Sequence, residues 1–192
     1  INSLKPIEPE HVSMILPPDM YYAGFAYLLR ACQSMELGDP PLAAITNSHA
    51  RRCPCGRTSF RIHSISPDGG IYVSPCIYLH DYKVPLDLLE HDLADIIQAP
   101  QFRVFRQRHA NPEMIDGCSG CPLLDQCGGG CAASAYLYHY HKTGEKTMLA
   151  RDPYCPIRVN PRYSFPQKPL LDTTHQHLVH MDYLCTWIGK PL

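Results

Sequence analysis

The stretch GCSGCPLLDQCGGGC, Gly117–Cys131, decides how this chain is read. It carries Cys118, Cys121, Cys127 and Cys131 in the order C-x2-C-x5-C-x3-C, with three successive glycines before the last thiol. Such a run offers little apolar mass for a core. Thiols at this density act through bonds to one another or to metal. More lie on either side. The chain has ten cysteines in 192 residues, and Cys53, Cys55, Cys76 and Cys155 join the central four in one uneven series. Cys32 and Cys185 lie outside it.

Three chemistries compete for these thiols. Disulfides need an oxidising compartment, and the start INSLKPIEPE has no basic region followed by an apolar one, so no export signal is read there. Zinc sites repeat C-x2-C knuckles or mix Cys with His. Cys118 and Cys121 make one knuckle, but Cys127 and Cys131 do not make a second. Ligation of iron–sulfur clusters by thiolates fits the remaining pattern best, with zinc and disulfides as the alternatives.

Composition narrows the class further. Apolar residues make up 45% of the chain, as in ordinary globular proteins. The net charge of −1 gives no electrostatic case for nucleic acid or a membrane surface. No apolar run is long enough to span a bilayer. The chain is expected in the cytoplasm. Nineteen prolines, about twice the usual ~5% share, call for many loops and few long elements. The absent initiator Met is read as the mark of a fragment, with a processed chain as the alternative.

Local patterns predict an α+β arrangement. Pro17-Pro18-Asp19 opens a helix with Tyr22, Phe25, Leu29 and Cys32 on one face, stopped by Gly38 and Pro40-Pro41. That face has little nearby sequence to cover it, so it is expected to pack on something upstream. Cys53-Pro54-Cys55-Gly56 reads as a tight loop. Residues 59–66 read as a strand, Pro67-Asp68-Gly69-Gly70 as a turn and 71–73 as the return strand, which carries Cys76 back towards Cys53 and Cys55. Leu86, Leu89, Leu93 and Ile96 have helical spacing over 86–97, and 101–109 reads as a second short helix. Arg103, Arg106 and Arg108 are taken as its solvated face. A helix follows Cys131 and runs to Gly144, with Tyr136, Tyr138 and Tyr140 as packing residues. His175, His177 and His180 read as surface histidines, Cys32 as a buried inert thiol.

Taken together, Cys53 to Gly56, the hairpin, Pro75-Cys76, the four-cysteine run and Asp152-Pro153-Tyr154-Cys155 resemble the SPASM domain. This is the C-terminal auxiliary domain of many radical S-adenosylmethionine enzymes. The resemblance covers about residues 50–157, and its Gly56-to-Cys76 spacing is one residue longer than the commonest form. It divides the chain into 1–50, a remnant of the enzyme barrel and linker; 51–157, the auxiliary domain; and 158–192, a tail. It implies a small hairpin and short helices organised around two [4Fe–4S] clusters, preceded by a helix from the end of a partial TIM-like barrel.

By the same resemblance, Cys53, Cys76 and Cys131 serve a first cluster, with Cys55 the candidate fourth ligand and Cys185 the other thiol considered. Cys118, Cys121, Cys127 and Cys155 serve a second. Crossed ligation places Gly128-Gly129-Gly130 between the two. The implied role is electron transfer or substrate binding in an enzyme that modifies a peptide or protein. Its barrel, with S-adenosylmethionine and a third cluster, sits upstream in the same chain or in a partner chain. The barrel's C-x3-C-x2-C triplet is absent from the sequence, so this stretch by itself should not cleave S-adenosylmethionine. Where sulfatase-maturing relatives carry a basic aspartate after the hairpin cysteine, this chain has Ile77. His80 and Asp81 are read as a solvated loop. No catalytic residue is assigned.

Overall fold

A computed structural model describes residues 3–31, 39–45, 53–57, 59–63 and 66–158, together with the backbone at 178–179 and 188–189. Cys32, Cys185 and the tail histidines lie outside the described residues. The fold is short helices around a small antiparallel hairpin, an α+β arrangement. Among the described residues no helix is long and apolar enough to cross a membrane.

Helix α1, Pro18–Ala31, begins on a proline whose fixed φ suits the first helical position. Tyr22, Phe25 and Leu29, spaced by three and four, are buried together with Leu42 of α2, Pro40–Ile45. The Tyr22 hydroxyl donates to the Tyr154 carbonyl at 2.6 Å, and the Tyr21 and Tyr154 rings lie 4.1 Å apart. The expectation of an uncovered apolar face is therefore corrected: α2 and the turn at Tyr154 cover it. That partner is distant in sequence, and local pattern could not supply it.

Strands β1, Arg61–Ile62, and β2, Val73–Ser74, pair antiparallel with Arg61 opposite Ser74 and Ile62 opposite Val73. The turn closes through Ser66 N–H to the Gly70 carbonyl at 2.9 Å and Gly69 N–H to the Ser66 carbonyl at 2.8 Å, with Gly69 at φ +85°. The ladder is shorter than predicted, and the return strand starts at Val73. Its outer neighbour is instead Val84, whose N–H donates to the Val73 carbonyl at 2.8 Å.

The helix predicted over 86–97 is confined to α3, Leu93–Ile96. Asp87 breaks the earlier part. Its carboxylate accepts from the N–H groups of Ile71 at 3.0 Å and Leu89 at 2.9 Å, pinning a turn to the hairpin. Leu89 is consequently 68% exposed.

Helix α4, Pro100–Ala110, matches its predicted span. Phe102 joins Val73, Val84 and Ile96 in one core cluster, and Phe105 packs in a second beside the thiols. Arg108, expected in solvent, is only 1% exposed. It continues the three-residue step of Phe102 and Phe105 along the buried face.

Helix α5, Leu124–Cys127, ends at Gly128, and α6, Ala132–Thr143, ends at left-handed Gly144 as predicted. Ala132 and Ala133 pack with Cys53 and Cys76 in one buried cluster, which brings the start of α6 against the thiols. Tyr136 is buried, in keeping with a packing role.

Candidate functional site

All eight cysteines of the central series are described and none is disulfide-bonded. They fall into two groups in space. Cys53 and Cys76 belong to a buried cluster with Leu79, Phe105 and the start of α6, and Cys55 and Cys131 pack against it. Cys118, Cys121, Cys127 and Cys155 line a separate small pocket, partly open to solvent.

The first group is assembled by backbone ties. Gly56 N–H is shared between the Ser59 carbonyl at 2.9 Å and the Pro75 carbonyl at 3.0 Å, which fastens the Cys53–Cys55 loop beside Cys76. Gly56 stands at φ +70°, and a Cβ there would lie 2.5 Å from Phe105 Cβ. Only glycine allows this approach. His109 Nε2 lies 3.0 Å from the Cys55 carbonyl oxygen. Cys55 packs against the cluster that holds Cys53 and Cys76. The hydrogen bond from Cys55 is the main reason that Cys53 is held well below the usual thiol range, and it pushes Cys55 itself up. Burial pushes Cys131 up to about 12, against the pull of Lys5.

The second group hangs on the loop before α5, on α5 itself and on the turn after Asp152. Arg151 Nε donates to the Asp116 carbonyl at 2.9 Å, and its carboxylate lies 3.4 Å away, which sets the guanidinium at the rim. Burial raises Cys118 and Cys155, and carries Cys127 to about 12. Thiols raised in this way must lose protons to bind metal.

Gly128, Gly129 and Gly130 join the groups with φ of +61°, +83° and +79°. A Cβ on Gly129 would overlap Ile115 Cδ1, and one on Gly130 would lie 2.6 Å from Asp152 Oδ2. Three left-handed residues in a row reverse the chain tightly between Cys127 and Cys131.

Several site residues escaped sequence reading. Asp152 is buried and accepts from the N–H groups of Cys131 and Tyr154, each at 2.8 Å, so it ties the two groups of thiols together. Burial pushes its carboxyl up to about 6, against those two donors. Lys5 forms a buried ion pair with Asp39 at 3.0 Å, and the Ser3 N–H donates to the other Asp39 oxygen. Burial alone would lower Lys5, but Cys131 and Asp39 overcome it and hold the ammonium at about 12. Arg108 donates to the Gly129 carbonyl at 2.7 Å and to the Met148 carbonyl. The DPYC pattern pointed at Asp152 only as a neighbour of Cys155. For Arg108 the signal was its register with Phe102 and Phe105. His80 and Asp81 are exposed, and Asp81 pairs with Lys146 at 3.0 Å.

The donor set suits iron–sulfur clusters. It is all thiol, it comes in two sets of four, and one set lines a pocket together with Leu123, Leu124 and Ile157. Among the described residues no group of three or more His, Cys, Asp or Glu side chains is arranged to hold a single metal ion.

Residues 53–122 match the family model of SPASM, described as an iron-sulfur cluster-binding domain. That match takes in Cys53, Cys55, Cys76, Cys118 and Cys121, and stops before Cys127. An uncharacterized protein of Archaeoglobus fulgidus is 32% identical over 105 residues, covering 53% of this chain and 22% of that protein. The chain thus spans less than a quarter of that relative's length. No solved structure matches it.

Proposed function

We propose, from the premise that this chain carries a SPASM iron–sulfur cluster-binding domain, that it holds two auxiliary [4Fe–4S] clusters for a radical S-adenosylmethionine enzyme. Cys53, Cys55, Cys76 and Cys131 would hold the first, and Cys118, Cys121, Cys127 and Cys155 the second. The grouping of eight thiols into two sets of four carries this reading.

Bound clusters supply one-electron transfer, or an open iron for substrate where a ligand is missing. The chain's own residues hold them and control their surroundings. Phe105, Leu79 and the alanines of α6 keep water from the first set. Gly128–Gly130 permit the close crossing, and Asp152 fixes the Cys131 backbone. The barrel that cleaves S-adenosylmethionine would lie elsewhere in the protein or in a partner chain, and the substrate would be a peptide or protein. The covered face of α1 favours a second reading, an electron-carrier or scaffold subunit.

Anaerobic reconstitution with iron and sulfide tests the proposal. About eight irons per chain, with visible charge-transfer absorption, support two four-iron clusters. A colourless protein that retains zinc would refute it.

A further inference from the structure

Arg108 poses an electrostatic problem. Its side chain is 1% exposed, and a buried charge is expected to have a partner of opposite sign. None of the four ion pairs among the described residues includes it. Its hydrogen bonds go to two neutral carbonyls, of Gly129 and Met148. Its Nε–H is buried without any acceptor. Lys5, the other buried cation near the thiols, is different because Asp39 neutralises it at 3.0 Å.

The negative charge available to Arg108 comes from both sides. Burial depresses the Arg108 guanidinium, and Cys53, Asp152, Cys131 and Cys118 oppose that depression. Nη2 also lies only 3.8 Å from where a Gly129 side chain would begin, in the middle of the linkage between the sets. With thiols protonated, Asp152 alone among these groups can supply negative charge. With thiolates bound to iron, its charge is matched.

We propose that Arg108 is a shared countercharge for the two clusters: buried between the thiol sets and bonded to the Gly129 carbonyl at their junction, it positions the linkage and raises both reduction potentials. This rests on the two-cluster reading above. A four-iron cluster with four thiolate ligands is anionic, and reduction adds a further negative charge. A fixed cation in low dielectric therefore favours the reduced form. Arginine suits this role because it stays charged when buried and spans two carbonyls at once.

The test uses the full chain, loaded anaerobically with iron and sulfide, as wild type, Arg108→Gln and Arg108→Lys. Iron and sulfide are counted, and potentials are read by mediated titration followed by electron paramagnetic resonance. Arg108→Gln should lower the reduced-to-oxidised ratio of both clusters at least tenfold at fixed potential, a shift of about 59 mV for one electron. Arg108→Lys should keep both within a few-fold of wild type. Failure of the Gln variant to load while the Lys variant loads fully would support the same need for charge. Unmoved potentials in a fully loaded Gln variant would overturn the proposal. So would equal shifts, or equal failure to load, in both variants, since packing would then be the cause. A wild type that takes up only half the iron would instead refute the two-cluster reading, and the shared role with it.

Discussion

Gly129→Ala should be among the most damaging single-methyl changes in the chain. Gly129 stands at φ +83°, where an L-residue costs roughly 1–2 kcal/mol. The added Cβ would also overlap Ile115 Cδ1, and Ile115 is 1% exposed, so relieving the overlap must turn the end of a buried side chain. Overpacking of this kind costs about 1–3 kcal/mol. The sum, roughly 2–5 kcal/mol, is a large part of the ~5–15 kcal/mol that holds a domain together. Gly144→Ala is the control, since Gly144 has φ +76° and nothing within 4 Å of its added Cβ. It should lose only the backbone share, about 1–2 kcal/mol. Ile115→Val removes the clashing Cδ1 itself and alone should cost about 0.5–1.5 kcal/mol. The double variant should then be more stable than the two single losses added together. Urea midpoints at unchanged slope would measure all four proteins. Equal losses in Gly129→Ala and Gly144→Ala, or strict additivity with Ile115→Val, would refute the packing argument.

Replacing Cys118 or Cys127 with Ala should abolish loading of the second cluster and much of the fold, whereas Cys55→Ala should cost one ligand or none; iron counting separates these outcomes. Tyr22→Phe removes the 2.6 Å bond to the Tyr154 carbonyl and should cost about 0.5–1.5 kcal/mol, read as a lower melting temperature. In the iron-free chain, Asp152 has its carboxyl raised from 3.8 to about 6 by burial. A raised acid favours folding while protonated, so its share of stability is complete below pH 3.8 and is lost as pH climbs through about 6. Melting curves across that window should be flatter for Asp152→Asn than for the unchanged chain.

The legible parts of the molecule were those whose cause is local. The four-cysteine run, the Gly69 turn, the span of α4 and the Gly144 stop of α6 all follow from neighbouring residues, and each is present. The illegible parts depend on remote partners. Leu86–Ile96 has helical spacing, yet Asp87 is claimed by the N–H of Ile71 in the hairpin. The face of α1 looked uncovered because Tyr154 lies far along the chain. Lys5 and Asp39 meet across 34 positions, a pairing that no pattern along the chain announces. Arg108 was misplaced for another reason. Its charge argued for solvent, while its register with Phe102 and Phe105 argued for the interior, and the register prevailed.

The order of the thiols along the chain has a topological consequence. Cys131, a member of the first set, comes after three members of the second and before Cys155. Any cut between Cys53 and Cys131 divides the first set, and any cut between Cys118 and Cys155 divides the second. No single break in this interval leaves both whole. The two sets are interleaved along the chain, and no single cut parts them into two half-sized proteins. Emergence from the ribosome gives them an order as well: the first set is all present once Cys131 is free, while the second waits for Cys155.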